Sequence, residues 1–449
     1  MRKLFGTDGV RGVANTYPIT PEVIMKLGKA AALVLRNCKK RPKIVIGKDT
    51  RLSGYMIETA LTSGILSVGG DVLLVGPMPT PAVAHLVKSF AADAGIVISA
   101  SHNPAQDNGI KFFSNQGLKL SDETEKKIED LFFSNKISTD KINGEKIGKA
   151  YRIDDARGRY IEFAKSSIHN NSLKGLKVVL DCANGAAYNI TPLILEELGA
   201  EVITLNNKPN GLNINLNCGA LHPNIISKEV LKQKADVGVA LDGDADRIIM
   251  VDENGKIVDG DEIMAIAALD MIKKGELKNN TLIATYYSNL GLDKTIKEAG
   301  GKVIRVKNGD RYVIDEMLKK RYNFGGEQSG HIIFFDYSTT GDGTIAALKM
   351  LDIMKQNNKK LSQLAKCLNK FPQILVNIKV KEKKDLKKIP PLYKAIDKAN
   401  KELGKNGRTL IRYSGTQNIL RIMMEGKDKK LITKLASDIA NKAKKAIGA

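Results

Sequence analysis

The chain has no tryptophan, and only five histidines and four cysteines among its 449 residues. Cys38, Cys182, Cys218 and Cys367 lie far apart, with no CxxC pair and no metal-ligand spacing. That speaks against a disulfide framework or a structural zinc site and predicts buried free thiols in a reducing compartment. Long apolar runs are missing as well. Nothing approaches the roughly 18 consecutive apolar residues of a membrane span, so no membrane partner is expected. The opening MRKLFGTDGVRG lacks the apolar core of a secretory leader, which makes the cytoplasm the expected location.

Acidic residues are few: 49 Asp and Glu against 71 Lys and Arg, a formal charge of +22. Residues 371–449 hold 20 Lys and Arg against 7 Asp and Glu. Such an excess suits nucleic acid or an anionic small molecule. No zinc finger, aromatic RNA-binding motif or helix-turn-helix signature supports nucleic acid. The lysines of LITKLASDIANKAKKA instead line the polar face of a helix whose apolar stripe is Leu431, Leu435, Ile439 and Ala443. The charge reads as solvated helix faces plus a local phosphate site, with no nucleic-acid partner.

What is present is an ordinary globular composition, 43% hydrophobic and 27% charged. At about 150 residues per domain the length suggests about three domains. Short β-branched runs alternate with helical patterns, which argues for α/β architecture. A threefold repeat emerges on comparing segments. KIVIGKDTR, KVVLDCANGA and TLIATYYSNL each read as a first strand, and GGDVLLVGP, GAEVITLN and GGKVIRVKNG as a second. ADAGIVIS and ADVGVALD match position by position as a later strand, with YNFGGEQSG a weaker third copy. Three unlike polar loops follow: SASHNP, DGDADR and GEQSG itself. Ligands of α/β sheets bind outside the carboxyl ends of strands, so equivalent loops of this kind are expected to meet in one cleft. From about residue 371 the pattern changes to a smaller α+β domain, and linkers are expected near 150–155, 254–260 and 368–372.

DGDADR carries Asp242, Asp244 and Asp246 at alternate positions, so a curled loop can turn all three carboxylates to one centre. Hard oxygens without His or Cys favour Mg²⁺ over zinc. The spacing also fits an EF-hand loop, but Arg247 stands where that loop needs glycine and both flanks read as strands. In SASHNP, Ser99 and Ser101 are both possible nucleophiles, and either needs a base or a metal for activation. Lys111 follows in DNGIKFF as a possible acid, base or phosphate neighbour. GEQSGH sets Glu327 and Ser329 between glycines, where a carboxylate and a hydroxyl two residues apart can grip vicinal sugar hydroxyls. RYSGTQN, followed by Arg421, offers the planar fork of Arg412, with Ser414, Gly415 and Thr416 forming an anion-binding nest.

Taken in order, FGTDGVRG, SASHNP with DNGIKFF, DGDADR, NGDRYV, GEQSGH and RYSGT resemble the α-D-phosphohexomutase superfamily over essentially the whole chain. FGTDGVRG, NGDRYV and GEQSGH point to its glucosamine branch. The resemblance implies three topologically similar α/β domains plus a smaller C-terminal α+β domain around a central cleft. The boundaries expected are 1–152 for a phosphoserine-loop domain, 153–255 for metal binding, 256–368 for the sugar and 369–449 for phosphate. It implies that Ser101 is phosphorylated and joins Asp242, Asp244 and Asp246 around Mg²⁺, with Arg247 beside the phosphate and Arg11 and His102 in the active-site segments. Lys111 becomes the acid/base candidate. Glu327 and Ser329 would bind the sugar, Asp310 and Arg311 would help read its orientation, and Arg412, Ser414, Gly415, Thr416 and Arg421 would hold the idle phosphate. The implied activity interconverts glucosamine 6-phosphate and 1-phosphate through a 1,6-bisphosphate, which also serves as activator, in a monomer or homodimer. Phosphomannomutase/phosphoglucomutase activity on the same fold is the nearest alternative, and a Mg-dependent phosphatase with an aspartate nucleophile a more distant one. One departure from the family pattern stands out: Gln417-Asn418 replaces the usual Glu-Pro after Ser-Gly-Thr.

Overall fold

The structure is a computed structural model that describes residues 4–6, 8–36, 41–134, 136–138, 142–169, 172–414 and 418–449. The apolar runs form strands buried on both faces, as parallel strands covered by helices must be; Ala94–Ile98 and Val237–Leu241 are buried throughout. The glycines opening the second-strand segments do end helices. Gly69, Gly199 and Gly300 have φ of +83°, +86° and +79°, a conformation that costs other residues Cβ strain.

The threefold repeat is visible in the sheets. First strands are Lys43–Lys48, Lys177–Asp181 and Thr281–Thr285; second strands are Asp71–Pro77, Glu201–Leu205 and Lys302–Val306. Third strands are Ala94–Ile98, Val237–Leu241 and Phe324–Gly326; fourth strands are Asp107–Ser114, Ile248–Asp252 and Ile332–Phe334. Each sheet runs second–first–third–fourth across its width. In each, the third strand is parallel to the first and the fourth antiparallel to the third. SASHNP, DGDADR and GEQSG therefore occupy the same topological position, the turn from third to fourth strand.

Two expected linkers are structured. Ala150–Arg152 is an edge strand of the first sheet. Asn254 and Gly255 turn a hairpin whose short strand Ile257–Val258 closes the second sheet, and helix Gly260–Lys274 follows at once behind an Asp259/Glu262 capping box. Cys182 and Cys218 are buried free thiols, Cys367 is only half-buried, and Cys38 lies outside the described residues.

The chain divides into two compact units, Met1–Thr285 with Ile304–Cys367, and Tyr286–Val303 with Leu368–Ala449. The second holds a three-stranded antiparallel sheet in the order Gln373–Lys379, Ile419–Gly426, Gly407–Tyr413. Helices Pro390–Leu403 and Lys429–Ile447 cover it around Leu392, Ile422, Met424, Ile432 and Ile439. This unit also takes in helix Leu290–Glu298 of the third repeat: Leu290 N–H donates to Glu425 at 2.7 Å and Asn289 to the Phe371 carbonyl at 2.9 Å.

Candidate active site

Ser101 sits in a turn with φ of +54°, rare for a residue with a side chain. Buried donors hold it there. Arg51, fully buried, donates to the carbonyls of Ser101 (3.1 Å) and Asn103 (2.5 Å). Asn215, from the second repeat, donates to the same two carbonyls at 2.9 and 3.0 Å. The Ser99 hydroxyl accepts the Ser101 N–H at 2.9 Å, so it supports the turn. The Ser101 hydroxyl points the other way: Oγ donates to Asp242 Oδ2 at 2.7 Å and lies 3.2 Å from His102 Nδ1. Arg11 donates to the Ala100 carbonyl at 3.3 Å and pairs with Asp8. Burial, aided by Arg247 and Arg11, lowers His102 to about 4, so its imidazole is neutral at physiological pH.

Asp242, Asp244 and Asp246 are all buried, with one oxygen of each within 4.8 Å of the others. The loop curls through Ala245, whose φ is +56°, and the Arg247 N–H donates to Asp242 Oδ1 at 3.2 Å. Strands flank it on both sides, which removes the EF-hand. Lys111 is buried against the cluster, 2.7 Å from Asp244 Oδ2 and 3.3 Å from Asp246 Oδ2. Burial opposes its charge, but Asp244, Asp8 and Asp246 raise it above the ordinary lysine range. The Thr80 hydroxyl donates to Asp244 at 2.5 Å, and His331 lies 3.7 Å from Asp246. Even so, Oδ1 of Asp244 and Oδ1 of Asp246 are buried without a hydrogen-bond partner. Burial, with the charges of Asp246 and Asp244, pushes Asp242 up to about 8. Orphaned hard oxygens and crowded negative charge are what a divalent cation relieves, so the residues fit one.

Glu327 Oε1 accepts the Gly309 N–H at 2.8 Å, and the exposed Ser329 hydroxyl lies 3.3 Å from Oε2. Asp310 and Arg311 face the first repeat. Asp310 pairs with Lys119 at 2.5 Å. Arg311 donates to the Leu120 carbonyl and pairs with Asp122 and Glu125. In the second unit, Arg412 stands directly opposite Arg421 in the strand register and lies over the Tyr287 ring, with its centroid 5.2 Å away. Like charges so placed repel unless an anion joins them. Lys383 donates to the Ser414 carbonyl at 2.8 Å, beside the same loop. Gly415, Thr416 and Gln417 lie outside the described residues.

Sequence reasoning missed Arg51, Asn215, Thr80, Asp8, Lys119 and Lys383. A lone arginine in KDTRLSG or an asparagine in NINLNCG carries no local signal. Their relevance arises only from partners 50 and 114 positions away.

Three repeated α/β sheets, with unlike loops at equivalent strand ends and a serine hydroxyl against a buried carboxylate trio, define a multidomain α/β enzyme. Residues 2–138, 158–255 and 259–371 match the alpha/beta/alpha domains I, II and III of phosphoglucomutase/phosphomannomutase, and residues 375–442 match its C-terminal domain. The chain belongs to this family. It is 59% identical over 449 residues to a protein of Geotalea uraniireducens named phosphoglucosamine mutase, covering 100% of this chain and 99% of that one. A protein of the same name from Citrifermentans bemidjiense is 58% identical with the same coverage. Among solved structures, a phosphoglucomutase/phosphomannomutase family protein from Burkholderia thailandensis shares the fold with a TM-score of 0.80 at 23% identity, over 98% of this chain and 97% of that one. The fold class is three α/β domains plus a C-terminal domain, as expected.

Proposed function

We propose that the chain is an isomerase interconverting glucosamine 6-phosphate and glucosamine 1-phosphate. The names of its full-length relatives support the sugar. The observation that carries the chemistry is the Ser101 hydroxyl, 2.7 Å from Asp242 in the buried trio. Phosphorylated Ser101 gives its phosphoryl group to O1 of glucosamine 6-phosphate: the bond from phosphorus to Ser101 Oγ breaks and a bond to O1 forms. The 1,6-bisphosphate turns over, and the 6-phosphoryl returns to Ser101, leaving glucosamine 1-phosphate. A hexose or glucosamine 1,6-bisphosphate would also prime an unphosphorylated enzyme.

Asp242, Asp244, Asp246 and Ser101 would hold Mg²⁺, which when bound supplies positive charge against the transferring phosphoryl group. Arg247 and Arg11 add fixed positive charge at the same place, so catalysis is mainly positioning and electrostatics. The proton of the attacking or leaving hydroxyl needs a nearby carrier. His102, neutral and 3.2 Å from Ser101 Oγ, and Lys111 are the groups assigned to it. Glu327 and Ser329 bind sugar hydroxyls in either orientation. Arg412, Arg421 and the Ser414 loop hold the phosphate that is not in transfer.

Ser101→Ala tests the proposal. Turnover in a coupled assay with glucosamine, glucose and mannose phosphates should vanish while circular dichroism stays unchanged, and peptide mapping should find phosphate on Ser101 of the wild type. Near-normal activity of the variant would overturn the phosphoserine, and a preference for glucose or mannose phosphate would overturn the sugar.

A further inference from the structure

Lys119 lies in the return of a hairpin after the strand Asp107–Ser114, where Phe113 bridges to it across a turn at Gly117. That hairpin belongs to the first repeat, yet it touches the third repeat at three successive points. The Gly117 carbonyl accepts from the Thr339 hydroxyl, Lys119 pairs with Asp310, and the Leu120 carbonyl accepts from Arg311. Lys119 also reaches back to Asp8 at 2.6 Å, so its ammonium is shared between two carboxylates. Burial opposes its charge, but Asp310 and Asp8 hold it protonated above the ordinary lysine range.

The next link runs into the sugar loop. Asp310 opens helix Asp310–Lys320, and the residue before it, Gly309, has φ of +121°, open to glycine and strained for other residues. The Gly309 N–H points at Glu327 Oε1, 2.8 Å away. A continuous chain thus runs Asp8, Lys119, Asp310, Gly309, Glu327. Pulling Asp310 toward Lys119 fixes the peptide that orients the Glu327 carboxylate.

We propose that Lys119 is a positioning residue for the sugar site, clamping the 308–311 turn so that one oxygen of Glu327 is held and the other is presented to a sugar hydroxyl. Asp310 and Arg311, expected to read the sugar themselves, then act through Glu327. This inference rests on the sugar-binding role assigned above to Glu327. Lys119 is placed where no contact with the transferring phosphoryl group is needed. Asp8, its other partner, keeps Arg11 and Lys111 when Lys119 is lost, so the loss should act on recognition more than on the chemical step.

The test compares Lys119→Met, Lys119→Arg and Asp310→Asn as purified full-length enzymes. Lys119→Met should raise KM for glucosamine phosphate about tenfold, the order found when a group that orients a ligand-binding side chain is removed. Glucose and mannose phosphates, which carry the same vicinal hydroxyls, should lose affinity by a similar factor, while kcat changes less. Lys119→Arg, which keeps the charge, should recover most of the loss. Asp310→Asn should reproduce the effect, and the double variant should be no worse than the worse single one, because both cut the same chain. If Lys119→Met fails to fold, Asp310→Asn carries the comparison alone.

A merely structural bridge would lower the melting temperature without moving KM. That result, or single effects that multiply in the double variant, would overturn the inference. A wild type inactive on glucosamine phosphate would sink the substrate assignment only, since the same KM comparison is then made with whichever phosphosugar turns over.

Discussion

Gly243 has no side chain because there is no room for one. A Cβ there would stand 2.6 Å from the Ser101 carbonyl oxygen, 2.8 Å from Asn215 Nδ2 and 2.8 Å from Ile214 Cδ1. Two of these atoms belong to the hydrogen bond that holds the Ser101 turn. Gly243→Ala should therefore cost about 1–3 kcal/mol of stability, as overpacking does, and should push Ser101 away from Asp242. A displacement of order 1 Å at a reacting atom can cost about a hundredfold in rate. Urea denaturation alongside steady-state kinetics separates the two effects, and a kcat like that of the wild type would refute the expectation. The loop motif itself was legible, because Asp242, Asp244 and Asp246 alternate within five positions. Why a glycine interrupts them was not, because the reason is an atom of Ser101.

Between helices, Asp342 plays two parts. It caps Gly343–Asn357 by accepting the Ile345 N–H at 2.9 Å, and it accepts the Tyr160 hydroxyl at 2.9 Å from helix Ala156–Lys165. Burial pushes this carboxyl up to about 6, only partly opposed by those hydrogen bonds. A carboxyl raised in the folded state binds its proton more tightly there than in the unfolded chain. Its stabilising effect is full below the unfolded value of about 4 and is lost as pH rises through about 6, up to about 3 kcal/mol in all. Asp342→Asn keeps an acceptor for both donors and should flatten that segment of the stability profile. Urea midpoints of both proteins across this pH range provide the check; parallel profiles would contradict it. No local signal in the sequence marks Tyr160, 182 positions earlier, as the partner of Asp342.

For the whole molecule, a cation held by the carboxylate trio would couple its binding to folding of the first unit. A cation that binds only the folded state stabilises it by roughly 3 kcal/mol at a hundredfold excess over its Kd. Added Mg²⁺ should raise the melting temperature, EDTA should reverse the rise, and Asp244→Asn should blunt it strongly. Calorimetry decides, and an equal shift in the variant would place the cation elsewhere. Calcium should also bind, since the donors are all oxygen, so a thermal shift with both ions supports the site without assigning the physiological metal.

The repeat order, the loops at equivalent strand ends, Ser101, the carboxylate trio and the basic C-terminal segment could all be read from sequence. Strand burial and loop chemistry are written in neighbouring residues. Which side chains hold those loops was decided by tertiary structure alone: Arg51 and Asn215 on the Ser101 turn, Lys119 on the Asp310 turn, and helix Leu290–Glu298 packing with the C-terminal sheet. The physical reason is the range of the forces. Periodicity and turn preferences act within a few residues, whereas a buried hydrogen bond or ion pair joins any two groups that folding brings within about 3 Å.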